Sequence, residues 1–274
     1  MALKRVTSVS ELTSAIGEAK REGRRIGLVP TMGALHEGHL SLVRQSRQEG
    51  CFTIVSVYVN PTQFGPHEDF TKYPRTPDAD CRLLEGAGAD LVFMPTDAIL
   101  YPEKFATWVE PGGAALKLEG ACRPGHFRGV ATVVLKLFTL TRPDIAFFGQ
   151  KDYQQVLVIR NMVRDFHLPI VVRACPIVRE SDGLAMSSRN AYLSPVDRCR
   201  SAAISQSLAV ARLLLSEGQR DAQTLLCEME KTLRNAGITE IDYLVITDPE
   251  TLEPVVTIQG PVVALVAVHV GTTR

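Results

Sequence analysis

The sequence predicts an α/β protein, in which a Rossmann-like doubly wound parallel sheet is followed by a smaller α+β C-terminal domain. Over the first two-thirds of the 274 residues, helical patterns alternate with short apolar strands. Such alternation indicates a parallel sheet with helices on both faces, because each parallel connection crosses over the sheet. After about Val178 the pattern changes to a polar loop, two long helices and two strands. We therefore expect two domains, 1–177 and 178–274.

Local signals define the individual elements. Ser8-Val-Ser-Glu11 is a capping box that opens a helix, the run 51–59 is rich in β-branched residues that favour a strand, and Pro77 suits a first helical turn. The first domain is predicted to contain helices at 8–23, 39–49, 77–86, 127–140 and 152–166 and strands at 25–30, 51–59, 90–94, 144–148 and 170–175. The second is predicted to contain a polar loop at 181–194, helices at 195–218 and 221–237, and strands at 240–247 and 262–270.

Composition excludes several classes of protein. Thirty Lys and Arg residues balance thirty Asp and Glu residues, which argues against a nucleic-acid coat protein or a polybasic membrane binder. The apolar runs 129–140 and 261–270 are interrupted by Lys136 and His269, and both are shorter than the roughly 20 residues of a membrane helix. No apolar segment follows the basic residues near the N-terminus, so we expect no secretion and a cytoplasmic location.

The six cysteines show no ligand pattern. They lie at positions 51, 81, 122, 175, 199 and 227, with no CxxC pair and no Cys/His spacing typical of zinc. In a chain without an export signal we expect reduced, buried thiols rather than disulfides, and no protein-held metal site.

Two histidines follow the first predicted strand in Pro30-Thr-Met-Gly-Ala-Leu-His36-Glu-Gly-His39. At this spacing the imidazoles share one helix face, and the helix N-terminus adds unpaired backbone N–H groups and a positive dipole that favour phosphate. Gly33 and Gly38 allow close approach to the backbone. The motif is neither a Walker A loop nor a GxGxxG fingerprint. We expect the histidines to stabilise a phosphate in a transition state; the alternative is a solvated pair at a helix start.

This motif resembles the HxGH signature of the nucleotidyltransferase superfamily, and the run through Leu40 resembles the pantothenate synthetase (pantoate–β-alanine ligase) family. Five further segments resemble that family's blocks in the same order, so the resemblance covers essentially the whole chain. They are Val59-Asn-Pro-Thr-Gln-Phe-Gly-Pro66, Tyr73-Pro-Arg-Thr76, Arg123-Pro-Gly-His-Phe127, Phe148-Gly-Gln-Lys-Asp-Tyr-Gln-Gln155 and Gly183-Leu-Ala-Met-Ser-Ser-Arg-Asn190.

The resemblance implies the site residues. ATP contacts are implied at Met32, Gly33, Ala34, Leu35, His36, Glu37, Gly38, His39, Gly149, Gln150, Lys151, Asp152, Val178, Met186, Ser187, Ser188 and Arg189. Pantoate and β-alanine contacts are implied at Asn60, Gln63, Tyr73, Arg123 and Gln155. His39, His36 and Lys151 are expected to be catalytic, with His39 as the better proton donor. Taken without the pattern, each of these residues would be an ordinary loop, cap or surface residue; Asp152 in particular suits a helix N-cap.

The implied activity is ATP-dependent ligation of pantoate and β-alanine through a pantoyl adenylate, with Mg²⁺ accompanying ATP and a homodimer as the assembly. Asp78 and Asp80 are the nearby carboxylates, but no Mg²⁺ ligand can be assigned from sequence. One departure from the family is Gln150, where Gly-Glu-Lys-Asp is usual. Three alternatives stay open: nucleotidyl transfer to a phosphate, an RNA-binding or synthetase-like module, and an NAD-dependent dehydrogenase. Zero net charge weighs against the second, and the missing GxGxxG against the third.

Overall fold

The computed structural model describes residues 3–66 and 68–274. These residues form two compact units, one that ends at Val178 and one that spans Arg179–Arg274. The first unit is built on a parallel sheet whose strands are β1 (Lys4–Val6), β2 (Ile26–Thr31), β3 (Phe52–Val57), β4 (Leu91–Phe93), β5 (Ile145–Gly149) and β6 (Val171–Cys175). Their order in the sheet is β1-β4-β3-β2-β5-β6, and every pairing is parallel. The predicted fold class is confirmed.

Helices cover both faces of this sheet. They are α1 (Val9–Arg21), α2 (Glu37–Gln48), α3 (Pro77–Ala87), the short α4 (Asp97–Leu100) and α5 (Glu119–Cys122), α6 (His126–Thr141) and α7 (Tyr153–Asp165). Successive strand residues point to opposite faces: Leu28 joins the core formed with α1, α6 and α7, whereas Val29 joins the core formed with α2 and α3. Burial on both faces explains why the central strands are apolar without alternation.

Strand order decides where the candidate site lies. β2 pairs with β3 on one side and with β5 on the other, and its last residue, Thr31, is in register with Val57. Because the strands are parallel, the segments that follow β2, β3 and β5 leave the same edge of the sheet. These segments begin at Met32, Tyr58 and Gln150, and they contain most of the predicted site residues of the first unit.

The second unit is a small α+β structure. It contains α8 (Pro195–Ser216), α9 (Ala222–Asn235) and the strands β7 (Ile241–Thr247) and β8 (Val263–Val268), which pair antiparallel. Ser194 and Asp221 accept N-cap hydrogen bonds from Asp197 and Thr224 and so begin the two helices. The loop that precedes α8 contains a short 3-10 helix, Ser188–Tyr192.

Some expectations were incomplete or wrong. β1 and the short helices α4 and α5 were not predicted, and α2 begins at Glu37 rather than His39 because His36 is its N-cap. All six cysteines are free thiols, as expected, but Cys122, Cys199 and Cys227 are exposed, so burial was the wrong expectation for them. None of the helices in the described part of the chain has the length and apolar composition needed to span a bilayer.

Candidate active site

The segment Met32–His39, which joins β2 to the first turn of α2, is called the signature loop below. Gly33 and Ala34 both have positive φ, +84° and +49°, a conformation that an alanine side chain disfavours. The Thr31 hydroxyl donates to the Ser56 carbonyl at 2.7 Å and accepts from the Gly33 N–H at 3.2 Å. The loop is therefore tied to β3 at the point where it leaves the sheet.

The two histidines of the signature loop cap α2, in whose first turn the loop ends. His36 is the N-cap of α2, and its Nδ1 accepts from the Gly38 N–H at 3.1 Å. His39 completes a capping box, because its Nδ1 accepts from the His36 N–H at 3.3 Å. The ring centroids lie 4.0 Å apart. A nitrogen that accepts a backbone N–H carries no proton, so both imidazoles are neutral and are protonated on Nε2.

Electrostatics keep His39 neutral. Burial, together with the adjacent His36, lowers the pKa of His39 to about 3. Asp152 raises this pKa and Lys151 lowers it, so the charged pair that follows β5 acts directly on the imidazole. The Lys151 ammonium lies 3.3 Å from the Asp152 carboxylate, and both side chains are exposed. The structure thus brings the predicted catalytic residues His36, His39 and Lys151 to one edge of the sheet.

The expectation about the phosphate-binding backbone is wrong for most of the signature loop. The helix N-terminus was expected to offer unpaired N–H groups, but the histidines and neighbouring groups already satisfy them. Internal acceptors are present for the N–H groups of Gly33, Ala34, Leu35, His36, Gly38 and His39. Among the side chains of this motif, the two imidazoles can direct Nε2–H donors at a substrate.

A second loop, Asn60–Gln63, follows β3 and is called the amide loop below. Asn60 is 1% exposed. Its carbonyl oxygen accepts from Thr62 and from the Tyr101 hydroxyl at 2.9 Å, and its amide group donates to Gln63 Oε1 at 3.1 Å and to the Gly129 carbonyl at 3.2 Å. A Cβ on Gly129 would lie 2.4 Å from the Thr62 carbonyl oxygen, so only glycine permits this approach of α6.

The position of Gln63 links the two loops. Its Oε1 accepts from Asn60, and its Nε2 donates to Met32 Sδ at 3.1 Å. A thioether is a weak acceptor, so the Gln63 amide can exchange this partner for a substrate oxygen at small cost. Sequence reasoning grouped Asn60 and Gln63 as two substrate-binding amides; the structure shows that Asn60 holds Gln63 in place.

Arg123 and His126 hold the amide loop through the backbone carbonyl of Gln63. Arg123, whose side chain is 14% exposed, is paired with Glu68 and Glu119 and donates to the Gln63 carbonyl at 3.3 Å. His126 lies 2.8 Å from the same carbonyl through Nδ1. Burial and the Arg123 charge lower the pKa of His126 to about 4, so its neutral ring donates from Nδ1 and accepts at Nε2. This tautomer is the opposite of that of His36 and His39.

The remaining predicted residues occupy varied settings. Gly149 ends β5, Gln150 is exposed, and Gln155 is half-buried in the first turn of α7. Asp152 occupies the N-cap position of α7, but its side chain makes no capping hydrogen bond, contrary to expectation. Tyr73 is buried with its ring edge against Phe64.

The last predicted ATP contacts fall at the end of the first unit and in the second. Val178 and Met186 are half-buried. Ser187 caps the 3-10 helix Ser188–Tyr192 by accepting from the Arg189 N–H at 3.3 Å. One of the two loop hydroxyls therefore already has a local structural role.

Sequence reasoning missed several residues that shape the site. The sequence gives Asp80 only as a nearby carboxylate with no assigned role, yet it is 2% exposed and accepts from the Ala34 and Leu35 N–H groups at 3.1 and 2.9 Å. Gln154, 6% exposed, holds the segment before α6 by donating to Ala114 and Lys117. These contacts join residues that are far apart in the chain. A carboxylate flanked by apolar helix residues, as in Ala79-Asp-Cys81, was the one available signal.

Potential metal ligands are not clustered in the described part of the chain. Within residues 3–66 and 68–274, no group of three His, Cys, Asp or Glu side chains could hold a metal ion. Asp78 pairs with Arg5 at 3.2 Å on the surface, and the oxygens of Asp80 accept backbone hydrogen bonds. Both carboxylates therefore already have protein partners.

Comparisons with known proteins agree over nearly the whole length. The sequence profile of the family Pantoate-beta-alanine ligase matches residues 4–274. Pantothenate synthetase of Acidobacterium capsulatum is 49% identical over 283 residues, covering 99% of this chain and 95% of that protein. The crystal structure of pantothenate synthetase from Thermus thermophilus has a TM-score of 0.92 at 46% identity, covering 97% of this chain and 95% of that one. Pantoate-beta-alanine ligase from Francisella tularensis, solved in complex with beta-gamma ATP and beta-alanine, has a TM-score of 0.83 at 32% identity, covering 100% and 95%.

Proposed function

The chain belongs to the pantoate-beta-alanine ligase family, and from that premise we propose that it joins pantoate to β-alanine at the expense of ATP. The resemblance predicted from the sequence is confirmed. The observation that carries the proposal at the level of chemistry is the pair of neutral imidazoles placed beside Lys151 and next to a loop that presents the Gln63 amide. All of these groups are donors or cations, suited to substrates rich in oxygen acceptors.

The reaction proceeds in two steps. A pantoate carboxylate oxygen attacks the α-phosphorus of ATP, the bond to the bridging oxygen of pyrophosphate breaks, and pantoyl adenylate forms. The β-alanine amine then attacks the acyl carbon, AMP leaves with the bridging oxygen, and the amine loses a proton to give the pantothenate amide. The carboxylate is ionised at neutral pH, so the first step needs no general base. The protein's task is to align reactants and stabilise phosphate charge.

We assign His36 and His39 to the α-phosphate. Each would donate from Nε2 to a non-bridging oxygen, where negative charge develops in the transition state. Because the pKa of His39 is lowered to about 3, it acts as a neutral hydrogen-bond donor rather than as a charged acid. We therefore expect His39 to donate a hydrogen bond to the phosphate without transferring its proton.

Cations and hydroxyls would bind the other phosphates. Lys151 is an exposed, mobile point charge, and a phosphate would replace its contact with Asp152. We propose that Ser187, Ser188 and Arg189 bind the β- and γ-phosphates, with Met186, Val178 and the backbone of 149–152 toward the nucleotide. The first unit would thus carry the ATP and pantoate sites and the second unit the Ser-Ser-Arg loop. Mg²⁺ would enter with ATP as part of the substrate, held by phosphate oxygens.

Gln63 and Gln155 would hold pantoate. Gln63 Oε1 is occupied by Asn60, so Gln63 offers its Nε2–H donors to a pantoate hydroxyl or carboxylate oxygen. Gln155 stands in the first turn of α7 and can supply a second amide. Asn60 and Tyr73 are buried and Arg123 is half-buried. We propose that these three residues shape the pocket for pantoate and β-alanine by positioning Gln63 and its loop.

We further propose a cytoplasmic homodimer associated through the first unit, with small molecules as its substrates and no nucleic-acid or membrane partner. Equal numbers of acidic and basic residues fit this assignment. Light scattering behind a sizing column checks the dimer; a monomer at micromolar concentration would contradict it.

The activity is tested by mass spectrometry of products formed from ATP, Mg²⁺, pantoate and β-alanine. The expected products are pantothenate, AMP and pyrophosphate, with pantoate-dependent ATP–pyrophosphate exchange when β-alanine is omitted. Formation of a dinucleotide-like product from a phosphorylated acceptor would favour the alternative nucleotidyl transfer. A salt-dependent shift of RNA on a gel, without ligation, would favour the RNA-binding alternative.

A further inference from the structure

Asp80, in the first turn of α3, contacts the signature loop although it is distant in sequence. Its side chain is 2% exposed, and its carboxylate accepts from the Ala34 N–H at 3.1 Å, the Leu35 N–H at 2.9 Å and the Thr76 hydroxyl at 3.1 Å. We propose that Asp80 is a positioning residue that holds the signature loop in the conformation needed for adenylation. The inference rests on the proposed function of His36 and His39.

The loop needs an external acceptor because its backbone is unfavourable on its own. Gly33 and Ala34 have consecutive positive φ angles, and a non-glycine residue in this region is held there by its surroundings. The two N–H groups bound by Asp80 belong to Ala34 and to Leu35, which is 8% exposed. A carboxylate suits this task because it has acceptor oxygens only, whereas an amide would turn one donor toward two donors.

The carboxylate is closely packed against the loop. A Cβ built on Gly33 would lie 3.0 Å from Asp80 Oδ2 and 3.1 Å from Val57 Cγ1. A cavity of 310 Å³ also borders Met32, Gly33 and Asp80. A loop released from Asp80 therefore has space into which it can relax, and tight packing alone does not fix its position.

Displacement of the loop would reach the histidines directly. Ala34 and Leu35 immediately precede His36, whose backbone N–H and side chain cap α2 through His39 and Gly38. Release of the loop from Asp80 would therefore change the orientation of both imidazoles without removing either one. The expected consequence is a loss of transition-state stabilisation, with substrate binding and folding affected less.

The same helical turn provides a matched control. Asp78 is also a carboxylate in the first turn of α3, but it is exposed and pairs with Arg5. We compare Asp80→Asn with Asp78→Asn in pantoate-dependent ATP–pyrophosphate exchange. Asp80→Asn should lower kcat roughly tenfold to a hundredfold, the scale of misplaced catalytic groups, with KM values changed less than about threefold. Asp78→Asn should stay within about twofold of the parent.

A second readout is independent of activity. Amide hydrogen exchange at Ala34 and Leu35 should be faster in Asp80→Asn than in the parent or in Asp78→Asn, while amides of β2 stay protected. Unchanged hydrogen exchange at the Ala34 and Leu35 amides would overturn the proposal, even if the parent protein catalysed a different reaction. If the parent protein showed no pantoate-dependent ATP–pyrophosphate exchange, the proposed function would be refuted. The hydrogen-exchange test of Asp80 would still be valid in that case.

A milder variant covers the case in which Asp80→Asn does not fold. Thr76→Val removes one of the three donors to Asp80 without changing side-chain size. It should lower kcat severalfold with the melting temperature nearly unchanged. A kcat within experimental error of the parent, in a folded Asp80→Asn or Thr76→Val protein, would overturn the positioning role.

Discussion

The signature loop and the amide loop leave neighbouring parallel strands at the same edge of the sheet, but they are held by opposite chemistry. Backbone N–H groups of the signature loop are bound by acceptors, namely the Asp80 carboxylate and the histidine Nδ1 atoms. A backbone carbonyl of the amide loop is bound by donors, Arg123 and His126. In both loops, side chains of the protein already form hydrogen bonds with these backbone groups. The groups that remain to bind a substrate are therefore side chains.

Both loops present hydrogen-bond donors, although different contacts hold each loop in place. The signature loop presents imidazole Nε2–H groups, and the amide loop presents the Gln63 amide protons. Donors on both sides fit a reaction in which a carboxylate attacks a phosphate, since every reacting oxygen is an acceptor.

The largest effect is expected from the signature loop. Because we propose that His39 donates to the developing phosphate charge, pantoate-dependent ATP–pyrophosphate exchange should fall by roughly a hundredfold or more in His39→Ala. His167→Asn, at an exposed histidine, is the control and should leave the exchange rate unchanged. Near-parental exchange in His39→Ala would remove His39 from the mechanism.

A smaller effect, limited to one substrate, is expected from the amide loop. Gln63→Glu keeps the side-chain size but replaces the amide donors by a negative charge, which would face pantoate at the site that we propose. Pantoate binding should weaken by about 2–3 kcal/mol, whereas ATP binding, measured by calorimetry, should change little. Gln48→Glu introduces the same charge at an exposed position and should change neither. Equal losses for both substrates would mean that Gln63 does not distinguish pantoate from ATP.

The third loop to compare is the Ser-Ser-Arg loop of the second unit, whose short 3-10 helix contains no buried residue. Ser187→Ala/Ser188→Ala should raise the KM for ATP roughly tenfold and lower the free energy of unfolding by less than about 1 kcal/mol, since Ser187 caps a short 3-10 helix in which no residue is buried. Ser194→Ala, at the N-cap of α8, should show the reverse: lower stability and an unchanged KM. A large stability loss in the double variant would make these serines structural.

The smallest effect is expected where this chain departs from the family pattern. Gln150 is exposed in the turn before α7, and adenylation by an ionised carboxylate needs no base. Gln150→Glu should therefore change the overall rate by less than about tenfold, or roughly 1.4 kcal/mol in barrier. A hundredfold change in either direction would place residue 150 in the chemistry.

The sequence allowed the layout of the sheet to be predicted because its signals are local. Apolar periodicity and caps located every long helix and every strand of the central sheet except β1, which is three residues long and begins with two basic residues. The segment 95–125 lacks periodicity, and its short helices α4 and α5 were missed. Both depend on tertiary contacts rather than on intrinsic propensity.

For the site, sequence patterns singled out residues but not their contacts. The motifs pointed to His36, His39 and Gln63, but they did not predict the capping function of both imidazoles or the contacts of Asn60 with Gln63 and Gly129. Those roles depend on contacts between residues far apart in the chain, such as Asp80 with Leu35 and Asn60 with Gly129. No local pattern encodes such contacts, so only the folded structure reveals them.

The central claim, activation of pantoate as an adenylate, is tested most directly by following oxygen. Pantoate labelled with ¹⁸O in both carboxylate oxygens is converted with ATP, Mg²⁺ and β-alanine, and the products are weighed by mass spectrometry. One labelled oxygen should be found in AMP and the other in the pantothenate amide. Label in inorganic phosphate or pyrophosphate, or AMP without label, would contradict attack of the carboxylate on the α-phosphorus.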